Sequence, residues 1–227
     1  MREGVASAMA AARDAVDVLL RDRGLRRSDP GDTVESLLCG AAASATLEGS
    51  RCSLEDLRTG RTDAEAEAAL RVSSELMGLV PVWQRSPVQV LARLHSLAAD
   101  PRDPARGRPT AAAGADRLQT LGTLVLRGTS APAMVLAAVV HAEVASAHAF
   151  SGRDGLVARA AERLVLVDAG VDPASLTVPE AGHARSPGAY RTALAGYGDG
   201  GTSTQVVDWL LHCAAAYSYG VASAPLR

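Results

Sequence analysis

The sequence predicts an all-α protein, and three observations carry that prediction. Hydrophobic residues make up 48% of the chain but aromatics only 3%, so the core must be built from Ala, Leu and Val. Alanine is the strongest helix former, and its abundance favours closely packed helices. Apolar residues recur at spacings of three and four through most of the chain, with Gly, Pro, Asp, Ser and Thr where helices should start and stop.

The elements follow in order. Residues 4–23 place Val5, Met9, Ala12, Val16 and Leu19 or Leu20 on one face, ending at Gly24. Asp32 or Thr33 is expected to cap a second helix carrying Leu37 and Leu38 and closed by Gly49. A third runs from a cap at Asp63 to Met77 and Gly78, with Glu65 and Glu67 outward. Pro87 opens a fourth, where Val90, Leu91, Leu94 and Leu97 face inward and His95 lies at the surface or core edge. Residues 100–109 are turn chemistry, and Thr123-Leu124-Val125-Leu126 is the best short strand candidate. The run 133–140 is apolar on nearly every face and reads as a buried helix ending at His148. Leu156, Ala160, Leu164 and Val167 form one face of the next helix, with Asp154 as N-cap and Gly170 and Pro173 as stops. Residues 171–185 read as loop with His183 exposed. A short helix carries Tyr190 and Tyr197, Gly198 to Gly201 break it, and Thr202 or Ser203 caps a last helix that buries Trp209, Leu210 and Cys213.

Composition excludes several classes of function. A chain of 227 residues is ample for one sizeable core, and 21% charged residues is ordinary. Net charge of -2 and a pI near 6.2 give no electrostatic case for nucleic acid. All basic residues are Arg, and the cluster Arg21, Arg23, Arg26 and Arg27 is interrupted by Asp22 and Asp29, as in a solvated helix end. Cys39, Cys52 and Cys213 are widely spaced with no Cys-x-x-Cys pair, which fits structural thiols in a reducing cytoplasm. Arg13, Asp14 and Asp17 cut the first apolar run, against a signal peptide. Residues 209–226 carry no formal charge, but His212, Tyr217, Ser218, Tyr219 and Gly220 make them a buried terminal helix rather than a membrane span.

The stretch His-Ala-Phe-Ser-Gly-Arg-Asp-Gly-Leu-Val-Ala-Arg at 148–159 joins the two central helices through a short polar loop. Free amides and the positive dipole end at the start of the second helix favour phosphate there. An imidazole at the end of the first, His148, would face the same space and can take a proton from an attacking hydroxyl.

These residues resemble the motif of the Fic (Fido) family: His-Pro-Phe, any residue, Asp/Glu, Gly/Ala, Asn, Gly, Arg, two of any kind, Arg. The chain keeps His148, Phe150, Gly155 and Arg159, and departs at Ala149, Gly152, Arg153, Asp154 and Leu156. His141, seven residues before His148, matches a histidine often seen on the family's preceding helix. Ser44-Ala45-Thr46-Leu47-Glu48-Gly49 looks like the family's inhibitory signature, Ser/Thr, three residues, Glu, then Gly/Asn.

The resemblance implies a mainly α-helical Fic fold with a small β-hairpin flap within 100–128, against which a target protein is clamped. It implies N-terminal helices over 1–78, including the inhibitory one, on a core over 79–227, packed as one unit. The implied activity is transfer of AMP from ATP, with Mg²⁺, to a protein hydroxyl. His148 would be the catalytic base, with Arg153, Asp154, Gly155 and Arg159 around the phosphates. Asp154 would offer Mg²⁺ the oxygen that Gly152 lacks, Ser44 and Glu48 would inhibit through Arg159, and Phe150 and His141 would brace the motif. The alternative is an inactive nucleotide- or protein-binding regulator, since Gly152 and Leu156 replace the metal carboxylate and the first Arg. The oligomeric state is left open by the sequence, with a homodimer as one candidate, and no nucleic acid or membrane partner is expected. A metal hydrolase using His141, Glu143 and His148 is a third reading without a recognised ligand spacing.

Overall fold

The computed structural model describes residues 3–22, 30–198 and 200–225. The expected helix stop at Gly24, the Arg23 to Asp29 part of the charge cluster and Leu226 lie outside them. The described residues form eleven α-helices and no strand. They are α1 (Glu3–Asp22), α2 (Pro30–Leu47), α3 (Leu54–Arg58), α4 (Ala64–Trp83), α5 (Pro87–Ala98), α6 (Ala112–Arg127), α7 (Ala133–Ala147), α8 (Asp154–Asp168), α9 (Pro179–Arg185), α10 (Pro187–Gly198) and α11 (Ser203–Ala222). No helix among them is long and apolar enough to cross a membrane.

The core is assembled around α8. Every residue from Leu156 to Val167 is buried, so this helix has no solvent face, although its apolar spacing predicts only one covered stripe. Helices α7, α4 and α5 cover it on several sides, with α2 and α9 in further contact. That surround has a cost to meet, because Arg159, Glu162 and Arg163 lie inside it and need internal partners. Alanine lines much of the interior, at Ala137, Ala138, Ala142, Ala158 and Ala161, each fully buried. Small side chains bring backbones close, and aromatic bulk concentrates at a few places such as Trp83 and Trp209.

The structure corrects the sequence reading at several elements. Helix α2 begins at Pro30, so Asp32 lies in its first turn and Thr33 donates to the Ala174 carbonyl at 2.7 Å rather than capping. Helix α4 runs through Gly78, where the sequence reading closed it and placed the unit boundary. Gly78 is on the exposed face, while Leu76, Leu79 and Trp83 bury and carry the helix onward. The strand expected at Thr123 to Leu126 is helix α6. Its inward residues Leu118, Leu121 and Gly122 follow helical spacing, and tertiary packing overrides the local β-propensity. Helix α3 was not foreseen, although Ser53 and Asp56 form the reciprocal capping box that marks its start.

The largest correction concerns residues 171–185. Pro179 stands at the first turn of α9 instead of breaking it, and His183 is fully buried. The glycine read as a loop residue, Gly182, is a packing site, since a Cβ there would lie 2.1 Å from the Ala216 carbonyl on α11. Gly182→Ala should therefore force these two backbones apart. The expected loss is about 2 kcal/mol or more, read as a lower urea midpoint with an unchanged slope.

Candidate functional site

The junction of α7 and α8 is a tight polar loop with unusual backbone. His148 caps α7 in the left-handed region at φ 43° and ψ 42°, and Arg153 precedes α8 at φ 63°. Two non-glycine residues held this way mark a loop fixed from outside. The fixing comes from the segment before α6. The Thr110 amide donates to the Ala149 carbonyl at 2.7 Å, and Ser151 Oγ donates to Asp103 Oδ2 at 2.6 Å. Phe150 stacks on His95 at 4.3 Å, and His95 Nδ1 accepts from the Gly107 amide at 3.0 Å. His95 is thus a buried brace of the loop rather than a surface residue.

Around this loop the predicted residues divide. His148 is exposed and lines a hollow of about 330 Å³ with Ser146, Arg191, Leu194 and Gly198. Arg153 turns elsewhere, to Glu65 at 3.2 Å, and lines a separate hollow beside Arg71 and Arg102. Leu156 is 2% exposed and part of the core. Asp154 is the first residue of α8 rather than its N-cap, and its Oδ1 is buried without a hydrogen-bond partner. Burial pushes its carboxyl up to about 6, against the lowering effect of the Phe150 amide and of His148.

Glu48 and Arg159, 111 positions apart, meet at 2.6 Å. Arg159 is 2% exposed and also donates from Nε to Ser44 Oγ at 2.6 Å, from Nη1 to Tyr190 at 3.2 Å and from Nη2 to the Ser44 carbonyl at 3.4 Å. Burial alone would lower its pKa, but Tyr190 and Glu48 outweigh that and hold it above the ordinary arginine value. Gly155 makes room for the pair, because a Cβ there would stand 2.7 Å from Glu48 Oε1.

Neither a protein-family model nor a curated protein sequence matches the chain. Comparison of structures does find matches. A Fic family protein from Desulfovibrio desulfuricans G20 superposes at a TM-score of 0.73, with 18% identity over 95% of this chain and 74% of that one. Fic-1 from C. elegans gives 0.71, with 14% identity over 96% of this chain and 71% of that one. This chain has the Fic fold.

On this Fic fold, His141 is tied to the motif residue Arg159 through the Tyr190 hydroxyl and sits in a buried network. His141 Nδ1 and His183 Nε2 each lie 3.0 Å from Glu162 Oε2, and Tyr217 donates to Oε1 at 2.9 Å. His141 Nε2 is 2.9 Å from the Tyr190 hydroxyl, and His183 Nδ1 is 3.1 Å from His212 Nε2. One assignment of protons satisfies every bond. Arg159 donates to Tyr190, Tyr190 to His141, His141 and His183 to Glu162, and His212 to His183. Burial lowers His141 to about 4 despite Glu162, so the imidazole is neutral at pH 7. Burial alone would raise Glu162, yet its carboxyl is held well below the usual range by the two histidines. Sequence reasoning missed Glu162, His183, Tyr190 and His212 as partners. Their one legible signal was the set Arg159, Glu162 and Arg163, at helical spacing inside an otherwise apolar run.

The set His141, Glu143 and His148 does not converge. Glu143 is engaged by Arg117 at 2.6 Å and Tyr197 at 2.7 Å, while His148 is exposed.

Two outcomes follow for stability. Arg159→Met leaves the buried Ser44 hydroxyl and carbonyl and the Tyr190 oxygen without their donor, besides breaking the half-buried bond to Glu48, and should cost about 3 to 5 kcal/mol in sum. Glu48→Gln keeps the shape and loses one charge-assisted bond, so it should cost less, at most about 1.5 to 3 kcal/mol. Denaturant midpoints of the two variants check that order. Separately, Asp154 has a folded pKa of about 6 against an ordinary value of 3.8, so its ionisation opposes folding. The penalty is complete above pH 6 and gone below pH 4. Asp154→Asn should raise the melting temperature at pH 7.5 and leave it unchanged near pH 4.

Proposed function

We propose that this chain is a self-inhibited nucleotidyltransferase of the Fic type, moving AMP from ATP to a protein hydroxyl with His148 as base. The observation that carries this reading is the ion pair of Glu48 with Arg159 at 2.6 Å, seated with Ser44 beside Gly155. A bridge between an N-terminal helix and the far end of the motif is what a built-in inhibitor of phosphate binding requires. In the proposed reaction His148 takes the proton of a Ser, Thr or Tyr hydroxyl as its oxygen attacks the α-phosphate and pyrophosphate leaves. The first-turn amides of α8 favour the phosphates, and Arg159 takes the terminal one after Glu48 withdraws.

The remaining parts are thinner. Leu156 supplies no cation, and Arg153 is occupied by Glu65. The unpartnered Oδ1 of Asp154 is the one motif carboxylate oxygen that fits Mg²⁺, which would neutralise phosphate charge. A target segment would lie along the turns at 100–111, which already border the motif loop through Asp103 and Thr110. Transfer should accordingly be slow. The buried Leu156 favours a second reading, a nucleotide- or protein-binding regulator without turnover.

Intact-protein mass after incubation with ATP and Mg²⁺ decides between them. Glu48→Gly should gain adenylyl groups on itself or on an added target, the wild type fewer, and Glu48→Gly/His148→Ala none. If Glu48→Gly binds ATP yet neither it nor any target gains mass, the transferase reading fails and the regulator stands.

A further inference from the structure

We propose that His141, Glu162 and His183 form a buried site for one divalent transition-metal ion, most suitably Zn²⁺. The ligand atoms come from three helices, α7, α8 and α9, and lie within 4.8 Å of one another. All three residues are fully buried, and both ring nitrogens converge on the same carboxylate oxygen at 3.0 Å. Tetrahedral coordination at Zn–N and Zn–O bonds of about 2.0 to 2.1 Å puts ligand atoms about 3.3 Å apart. The two nitrogen–oxygen distances, 3.0 Å each, need to open by only a few tenths of an ångström, and the two ring nitrogens, within 4.8 Å of each other, to settle at about 3.3 Å to admit the ion.

Two further observations point to a metal rather than to a bare hydrogen-bonded cluster. Each ligand has the outer partner that fixes a metal ligand's orientation. His141 Nε2 faces Tyr190, His183 Nδ1 faces His212, and the second oxygen of Glu162 holds Tyr217. On metal binding the ring protons move to those outer nitrogens and donate to Tyr190 and His212. The second observation is charge. Glu180, the neighbouring buried glutamate, has Arg163 at 2.8 Å, whereas Glu162 meets two imidazoles and the Tyr217 hydroxyl, with no arginine on it among the described residues. A carboxylate taken fully out of water calls for a permanent cation. Two nitrogens and one oxygen are donors suited to Zn²⁺ and poorly suited to Mg²⁺ or Ca²⁺.

Three of the chain's five histidines, His141, His183 and His212, gather here. They lie apart from His148 and its hollow, so the proposal stands or falls independently of nucleotide transfer.

The test uses the full chain purified without immobilised-metal chromatography. Protein is unfolded with chelator, refolded with or without ZnSO₄, desalted and analysed by plasma mass spectrometry. About one zinc per chain is expected, with a higher melting temperature than the metal-free protein. His183→Gln and Glu162→Gln should each lose most of that zinc, while Glu48→Gln should keep it. Because the first two variants risk misfolding, Co²⁺ loading of the wild type gives a second readout, a visible absorption band abolished by excess Zn²⁺. Less than about a tenth of an equivalent of zinc in refolded wild type, with no cobalt band and no thermal shift, overturns the site. Zinc retained equally by all variants also overturns it.

Discussion

A guanidinium carries five N–H donors and keeps its charge at any accessible pH, so burying one obliges the surrounding structure to answer it. Arg159 is 2% exposed, and four of its donor contacts go to Ser44 Oγ, the Ser44 carbonyl, Glu48 and Tyr190. Those partners belong to α2 and the turn after it on one side and to α10 on the other. The docking of the N-terminal helices on the central rod is therefore set by one side chain as well as by apolar contact. Gly155, one turn earlier on α8, is small for the same reason, since any Cβ there would occupy Glu48's seat.

The same constraint propagates along α8. Tyr190 accepts from Arg159 and passes the chain of hydrogen bonds to His141 and on to Glu162, which also gathers His183 and Tyr217. One turn further, Arg163 meets Glu180, Ser36 and Ser175. A helix with no solvent face thus carries a polar spine whose members are answered by α2, α7, α9, α10 and α11. Such a spine contributes little net stability compared with an apolar core of equal volume. Its effect is on register, because a turn of rotation in α8 would leave several buried charges unpaired at once.

The fold class and the Glu48–Arg159 pair were legible in the sequence for different reasons. Helices announce themselves through spacing, caps and composition, and α1, α5, α7 and α11 lie close to where those signals place them. The pair was legible only through the resemblance, since nothing local in Ser44 to Gly49 says which of many arginines Glu48 meets. Where reading failed, a local signal competed with a distant partner. Pro179 and Gly182 look like breakers until α11 is laid across them. Thr123 to Leu126 looks like a strand until Leu118, Leu121 and Gly122 find α7 and α5 to pack on. His183 reads as an exposed residue because Glu162, which draws it inward together with His141, hides in a run of Ala, Val and Leu.

The magnitude of the latch bears on how complete any inhibition through it is. A charge-assisted hydrogen bond contributes about 1.5 to 3 kcal/mol net. By itself that leaves Glu48 away from Arg159 in only roughly one molecule in ten to one in a hundred and fifty. A ligand that needs Arg159 free binds more weakly by the same factor, and no further. On the proposed self-inhibited reading, a pair of that strength weakens a ligand that needs Arg159 without excluding it. Glu48 is well placed for such a role because its side chain is 19% exposed while Arg159's is 2%. Withdrawal moves the carboxylate towards water and leaves the guanidinium on Ser44 and Tyr190. The mobile partner is the one that can be rehydrated, and the fixed partner is the one the interior already holds.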